Sequence, residues 1–197
     1  MVIPRNFVLM GSAGRLLKTR IAVEWRKGWG WYKEIVAAAA LRDGEDPTSR
    51  QRSVKAGDYM VDHLADTPAI IFACIKRDEA VAKVLTSPST VTAALRHLGV
   101  GGTLRLLGGA SRAQITGIDS TAYPAVQNLL LAARALGLGT VLTTPHLFCP
   151  GVYERMLDLP KHVTLTAVIP VGYPVGKFGP VTRPPPESVV SWDRYAD

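Results

Sequence analysis

The sequence has few of the features that mark disulfide-rich, metal-binding or membrane proteins. Its 197 residues include only two cysteines, Cys74 and Cys149, which provide neither a disulfide framework nor the spacing of metal ligands. No apolar run reaches the roughly 18 residues that a membrane-spanning helix requires. The first residues also lack a charged leader followed by an apolar stretch. We therefore expect a cytoplasmic protein without a bound metal or a membrane partner.

The glycine-rich segment near residue 100 lacks the pattern of a phosphate-binding loop. Gly99 and Gly101 would need a third glycine at position 104, which is Leu104, and no Gly-Lys-Ser/Thr sequence follows. No nucleophile, histidine and acid occur at a spacing that defines a hydrolase site. Residues 86–119, with one helix near residues 90–97, are instead predicted to form a flexible surface segment or a lid.

Apolar residues, by contrast, are abundant. Hydrophobic residues make up 47% of the chain and charged residues 20%, so the chain can bury a sizeable core and is not intrinsically disordered. A length of 197 residues fits one domain.

Positive charge is concentrated in the N-terminal third. The formal net charge is +7, and residues 1–60 hold eleven Lys and Arg against six Asp and Glu, so five of the seven excess charges lie there. A solvated helix face, a site for a phosphate-bearing ligand or a nucleic-acid surface would each explain this pattern. No nucleic-acid-binding motif accompanies the charge, so we do not expect a nucleic-acid partner.

Strand-like and helical patterns alternate along the chain. Two continuous apolar runs predict strands buried on both faces, and an apolar stretch capped by Ser120 or Thr121 and ended by Gly137 predicts a central buried helix. The predicted strands cover residues 6–10, 69–75, 140–143 and 164–172, and the predicted helices cover residues 48–66, 122–136, 153–157 and a stretch capped by Ser12. The prolines and glycines after Tyr173 predict an extended surface tail. Together these elements predict a sheet flanked by helices, of the α/β or α+β class.

Four blocks in the C-terminal part of the chain occur in a familiar order and spacing. They are YPAVQNLLLAARALGLGT from Tyr123, VLTTPH from Val141, IPVGYP from Ile169, and Arg183 in a proline-rich tail. In these blocks the chain resembles the FMN-dependent nitroreductase family, and residues 6–72 agree with the family more loosely. The resemblance implies an α+β fold with a central antiparallel sheet flanked by helices, and a homodimer with FMN at the subunit interface. It also implies transfer of a hydride from NADH or NADPH to flavin N5, then ping-pong reduction of a nitroaromatic, quinone or similar small acceptor.

The resemblance also assigns roles to individual residues. The turn Thr144-Pro145-His146 matches the segment whose backbone meets the flavin edge near N5. Because Pro145 has no N–H, the donor there would be Thr144 or His146. Arg183 matches the basic residue that pairs with the FMN phosphate, and Lys177 is a second candidate for that charge. The alternatives are a solvent-facing turn histidine and a solvated tail arginine.

Several other residues are open between a role in the site and a role in packing. Tyr123 and Gln127, one helical turn apart, would face the substrate side of the flavin or pack in the dimer interface. Three tryptophans would stack on the flavin or pack between helices or subunits: Trp25, Trp29 and Trp31. Cys74 is expected to be an inert core thiol, and nothing near Cys149 in the sequence lowers the pKa of its thiol.

One part of the family pattern is missing from the chain. Family members begin with a helix that carries an Arg-Arg-Ser-x-Arg motif for the FMN phosphate, and no such helix precedes Asn6. Arg52-Ser53-Val54-Lys55 imitates the motif in the wrong place, and we interpret this as coincidence. We therefore expect residues 1–197 to form a single nitroreductase-like domain without that helix and phosphate motif. The alternative to an active enzyme is a non-catalytic truncated relative that keeps the fold and the dimer but binds FMN weakly or not at all.

Overall fold

The fold is built on one sheet of four antiparallel strands. The computed structural model describes residues 5–11, 14–40, 46–76, 87–176 and 185–194. The strands are β1 (Arg5–Met10), β2 (Ala69–Lys76), β3 (Gly139–Thr140) and β4 (Val163–Gly172), and their order in the sheet is β1-β2-β4-β3. The helices are α1 (Arg15–Ala38), α2 (Pro47–His63), α3 (Pro88–Ala135) and α4 (Val152–Met156), with 3-10 turns at Leu64–Asp66, Pro145–Phe148 and Pro186–Ser188. The predicted α+β architecture with an antiparallel sheet is confirmed.

Each face of the sheet supports its own hydrophobic core. On one face, α1, α2 and α4 enclose a large cluster that includes Ile21, Trp25, Leu64, Phe72 and Tyr153. On the other face, a smaller cluster forms where Val126 of α3 meets Ala73, Ala167 and Ile169. The strands β2 and β4 are buried on both sides because helices cover both faces, as their continuous apolar runs predict.

A bulge in β4 changes which residues face which core. Ala73 pairs with Ala167, but the next residue, Cys74, pairs with Leu165, so Thr166 is the extra residue of the bulge. The Thr166 side chain is buried, and its hydroxyl donates to the carbonyl oxygen of Ala73 at 2.9 Å. Side-chain alternation in β4 therefore shifts by one position there.

A proline explains why β3 looks short. The pairs of Gly139–Thr140 with β4 and the bridge between Thr143 and Val168 follow one register, which places Val141 opposite Pro170. Val168 exchanges both backbone hydrogen bonds with Thr143, and residues two apart on a strand point their backbone groups to the same side. Pro170 has no N–H to donate to Val141, so the ladder is interrupted there although the chain continues to Thr143, as predicted.

The segment before residue 120 differs from its prediction. Residues 88–135 form one long helical segment with a kink at Gly99, where φ is 66° and ψ is −178°, rather than a flexible segment or lid. The N-cap is Ser87, whose hydroxyl accepts from the N–H of Thr90 at 3.3 Å, so the predicted cap at residues 120 and 121 is wrong. A glycine can take the positive φ that turns the chain between two helical stretches. Sequence periodicity does not register that geometry.

The ends of the helices are fixed by local hydrogen bonds. At the C-terminus of α3, Gly137 has a φ of 77°, and the N–H of Leu138 donates to the carbonyl of Ala133, which is a Schellman ending. At the start of α1 the N-cap is Gly14 without a side-chain bond. The predicted cap, Ser12, lies outside the described residues. The tail after Tyr173 is exposed where the structure describes it, as predicted, but Pro186–Ser188 forms a 3-10 turn rather than an extended segment.

Candidate functional site

A threonine anchors the chain to the sheet immediately before the predicted flavin-facing turn. The N–H of Thr143 donates to the carbonyl of Val168 at 3.0 Å and its carbonyl accepts from the Val168 N–H at 2.9 Å. The hydroxyl of Thr143 also donates to the carbonyl of Val168, at 2.6 Å. Three hydrogen bonds to one strand residue leave the next residue, Thr144, little freedom in where it begins the turn. Thr143 is not among the residues predicted for the site, although its position at the end of a strand is visible in the sequence.

The turn itself divides into a buried and an exposed half. Its 3-10 segment covers Pro145–Phe148, and the N–H of Leu147 donates to the carbonyl of Thr144 at 3.1 Å. Pro145 and His146 are buried, with 6% of His146 exposed, whereas Leu147 is 63% exposed. The histidine is therefore not the solvent-facing turn residue that was the alternative in the sequence analysis.

The exposed half of the turn packs against α1 through Phe148. The Phe148 ring lies 5.8 Å from the ring of Trp31 and 5.6 Å from the ring of Tyr32, measured between centroids. A Cβ atom at Gly28 would lie only 2.8 Å from the Cβ atom of Phe148. The glycine therefore permits the close approach of the turn to the helix.

The three tryptophans of α1 do not form one surface. Trp25 lies in the core with 4% of its surface exposed, whereas 58% of Trp31 is exposed. Trp29 packs against Gly57 of α2, and its indole N–H donates to Asp58 at 2.8 Å. That bond, followed by the bond from Lys33, lowers the pKa of the Asp58 carboxyl. Trp25 and Trp29 thus serve helix packing, which was one of the two expected roles.

Cys149 closes the turn on its inner side. Its N–H donates to the carbonyl of His146 at 3.2 Å, and its thiol donates to the carbonyl of Pro145 with a sulfur–oxygen distance of 3.6 Å. The pKa of the thiol is raised, mainly by burial and further by the charges of Glu24 and Glu154. The thiol is therefore a protonated donor rather than a reactive nucleophile.

A fully buried tyrosine belongs to the core cluster against which Cys149 packs. Tyr153 of α4 has 0% of its surface exposed. Its pKa is strongly raised, first by burial and then by the neighbouring charges of Cys149 and Glu24. Tyr153 therefore keeps its proton.

The two predicted substrate-side residues lie on α3 beside buried neighbours. Tyr123 is half-buried and Gln127 is exposed, whereas Ala122 and Val126 face the sheet. Other apolar residues of this helix are exposed, including Leu131 at 59%, and Leu136 directly after it is 77% exposed. The prediction of a helix buried all round is therefore wrong for the single chain. Over residues 122–135, the buried side chains of Ala122, Val126 and Ala133 alternate with exposed ones.

The two residues predicted to bind the phosphate are both in the tail of the chain. Arg183 and Lys177 lie outside the described residues. The imitation motif at residues 52–55 lies within α2, where Arg52 pairs with the N-cap carboxylate of Asp46 at 3.5 Å and the Ser53 hydroxyl donates to the carbonyl of Ser49. Both side chains thus have partners within their own helix.

Basic residues of α1 and α2 are held mainly by partners within the chain. Lys18 is buried, and its ammonium group donates to the carbonyl of Thr67 at 2.6 Å. Arg50 donates to carbonyls at the end of α1, those of Val36 and of the C-cap Ala39, the latter at 2.7 Å. Five of the other basic residues form ion pairs among the described residues, at 2.7 to 3.8 Å: Arg15–Asp66, Arg26–Asp62, Lys27–Glu24, Lys33–Asp58 and Arg52–Asp46. These contacts favour the explanation of the N-terminal charge as a helix surface.

Neither a membrane-spanning helix nor a metal-binding cluster occurs among the described residues. None of the described helices is long and apolar enough to cross a membrane. Within the same ranges, no group of three or more His, Cys, Asp or Glu residues is placed to hold a metal ion.

Comparison with known protein families gives a family model that matches most of the chain. The model of the nitroreductase family matches residues 17–173. A protein of Methanothermobacter thermautotrophicus, provisionally named an NADH dehydrogenase/NAD(P)H nitroreductase, is 44% identical over 64 residues. That alignment covers 28% of this chain and 30% of the relative, so it spans less than a third of the relative's length.

Solved structures resemble the chain over nearly its whole length. B. megaterium NfrA2 has a TM-score of 0.57 at 18% identity, and the match covers 98% of this chain and 58% of that protein. A nitroreductase family protein from Streptococcus pneumoniae has a TM-score of 0.55 at 15% identity, with 95% and 78% covered. An iodotyrosine deiodinase, solved with FMN and 3-iodo-L-tyrosine, has a TM-score of 0.53 at 18% identity, with 98% and 77% covered. At these identities the matches establish the fold.

Proposed function

The chain belongs to the nitroreductase family, and from this premise we propose that it is an FMN-dependent oxidoreductase. Its electron donor is NADH or NADPH, and its acceptor is a nitroaromatic, a quinone or a similar small molecule. Bound FMN would supply the redox chemistry by accepting a hydride and passing the electrons on. The residues of the chain bind and orient the cofactor and exclude water. The single observation that carries the proposal is the family match across residues 17–173.

The turn Thr144-Pro145-His146 fits the edge of a planar, polar ring. It is anchored by the three hydrogen bonds of Thr143, and two of its three residues are buried. Backbone groups in such a setting are already oriented, and they act more strongly on developing negative charge than they would in water. Since Pro145 has no N–H, the donor to the ring is Thr144 or His146.

The phosphate of the cofactor is assigned to Arg183, with Lys177 as the second candidate. A guanidinium group can bind a phosphate through two parallel hydrogen bonds, whereas an ammonium group offers a point charge. A charge-assisted bond of this kind stabilises a complex by about 1.5–3 kcal/mol. Loss of Arg183 should therefore weaken FMN binding by roughly 10- to 100-fold.

The exposed side of α3 is assigned to a second copy of the chain. The exposed residue Leu131 lies on the same helix as Tyr123 and Gln127, and the exposed residue Leu136 is the C-cap of that helix. Exposed apolar patches of this kind often mark protein interfaces. In the proposed homodimer Tyr123 and Gln127 would border the substrate side of the flavin.

The proposal is tested by adding FMN to purified protein and recording the visible flavin spectrum and NADH and NADPH oxidation under anaerobic conditions. We expect a perturbed flavin spectrum and parallel-line kinetics with a quinone acceptor, because ping-pong transfer releases one product before the second substrate binds. A flavin spectrum that never changes at saturating protein would refute the proposed function.

A pair of arginine variants tests the phosphate assignment. Arg183→Ala should weaken FMN binding by roughly 10- to 100-fold, whereas binding of riboflavin, which has no phosphate, should not change. Arg194→Ala is the matched control, since Arg194 is an exposed arginine in the same tail, and it should leave both affinities unchanged. Equal losses for FMN and riboflavin in Arg183→Ala would rule out a phosphate contact.

A further inference from the structure

The turn at Pro145–Phe148 is held at both of its ends, but by different means. Thr143 anchors its start to the sheet through three hydrogen bonds to Val168. No strand follows its end, where the chain turns directly into the short helix α4. Cys149 lies at this point, and its backbone carbonyl accepts from the N–H of Val152 at 3.1 Å, which joins the turn to the start of α4.

The side chain of Cys149 adds a bond that the backbone cannot supply. Its thiol lies 3.6 Å from the carbonyl oxygen of Pro145, four residues earlier. The N–H of Cys149 already donates to the next carbonyl, that of His146. Cys149 thus donates to two successive carbonyls of the turn, those of Pro145 and His146. The amide plane between Pro145 and His146, whose N–H is a candidate donor to the flavin, is oriented by the first of these bonds.

The surroundings of Cys149 suit a donor and disfavour a reactive thiol. Cys149 packs against the core that holds the fully buried Tyr153. Burial and then the charges of Glu24 and Glu154 raise the pKa of its thiol, and these effects outweigh the opposing effects of the Tyr153 hydroxyl and Lys27. A thiolate would also lose the proton that the Pro145 carbonyl accepts.

We propose that Cys149 is a positioning residue, whose thiol proton fixes the Pro145 carbonyl and thereby the orientation of the flavin-facing turn. This inference rests on the proposed function insofar as the turn meets FMN. The orientation of the turn itself is a property of the chain alone, so the two can be tested separately.

The test compares Cys149→Ala, Cys149→Ser and the wild-type protein in the full-length chain. We measure hydrogen exchange at the amides of residues 147 and 149, which donate within the turn, and the dissociation constant and midpoint potential of FMN. Cys149→Ala should raise amide exchange and weaken FMN binding by about 2- to 10-fold, because one modest hydrogen bond is lost. Cys149→Ser should recover most of both effects, since a hydroxyl donates to the same carbonyl.

Cys74→Ala is the matched control for loss of a thiol. Cys74 is buried in β2, and its thiol donates to the carbonyl of Phe72 with a sulfur–oxygen distance of 3.8 Å, so it has no hydrogen bond to the turn among those of the described residues. This variant should lower overall stability but leave exchange in the turn and the FMN potential at their wild-type values. A shift in both quantities in Cys74→Ala would show that they report general loosening, which would overturn the inference.

The remaining outcomes separate the inference from the proposed function. If Cys149→Ala leaves amide exchange in the turn unchanged, or if Cys149→Ser is as impaired as Cys149→Ala, the positioning role is refuted. If the wild-type protein does not bind FMN, the proposed function fails. Amide exchange in the three proteins then still decides whether Cys149 holds the turn.

Discussion

Gly28 and Gly30 of α1 offer a sharp test of how the turn is seated, because they lie two residues apart in very different surroundings. A Cβ atom at Gly28 would lie 2.8 Å from the Cβ of Phe148, 3.1 Å from its Cδ2 and 3.2 Å from its Cγ. A Cβ atom at Gly30 would have nothing within 4 Å. Replacement by alanine therefore adds the same methyl group to the same helix, but only one methyl group meets the turn.

The magnitude follows from these distances. Ordinary contact begins at 3.4 Å, so the Gly28→Ala methyl and Phe148 must separate by about 0.6 Å from their present 2.8 Å. The Cβ of Phe148 is bonded to the backbone, so the turn itself must move. Overpacking of this kind costs about 1–3 kcal/mol. Both variants gain up to about 1 kcal/mol from the higher helix propensity of alanine, and that gain cancels in their difference.

The assay is urea unfolding followed by tryptophan fluorescence and circular dichroism, combined with FMN titration. Gly30→Ala should be more stable than the wild-type protein by about 0.5–1 kcal/mol. The free energy of unfolding of Gly28→Ala should be about 1–3 kcal/mol lower than that of Gly30→Ala, and FMN should bind more weakly only to Gly28→Ala. Equal stabilisation of both variants, with unchanged FMN affinity, would refute the close seating of the turn on α1.

Two further predictions concern the sheet. Thr166→Val removes the hydroxyl that donates to the buried carbonyl of Ala73 and should lower the free energy of unfolding by about 1–3 kcal/mol. Thr164→Val in the same strand is the control, and an equal loss there would contradict the role of the bulge bond. Burial, followed by the charge of Glu154, raises the pKa of Cys74 from 9.0 to about 11, so the unfolded chain loses this proton first. The stability from the protonated thiol is therefore complete below pH 9 and is lost as the pH rises toward 11. Cys74→Ala should lack that part of the decline in urea unfolding, and identical pH profiles for the two proteins would refute the shift.

The elements that the sequence predicted well are those defined by local patterns. The strands β2 and β4 are continuous apolar runs, and Gly137 ends its helix because glycine takes the left-handed conformation without a steric cost. Periodicity located the helix near residues 90–97 but failed over residues 98–119, where glycines and polar residues resemble a loop although the structure continues as a kinked helix. It also could not reveal the bulge at Thr166, because one skipped residue changes the pairing partner without changing the local composition.

In the candidate site too, some features follow from the local sequence and others only from the tertiary structure. By itself, the sequence determined the family pattern, the two core strands and the turn Thr144-Pro145-His146, because these depend on residue types in a fixed order. Only the tertiary structure showed that Thr143 anchors the turn, that Gly28 lets Phe148 approach α1, and that Cys149 faces a carbonyl as a protonated donor. The fold brings Thr143 next to Val168 and Gly28 next to Phe148, although both pairs are far apart in the sequence. The direction of the Cys149 side chain depends on the backbone conformation of the turn. Residue order alone does not contain this information, because it depends on the path of the backbone in three dimensions.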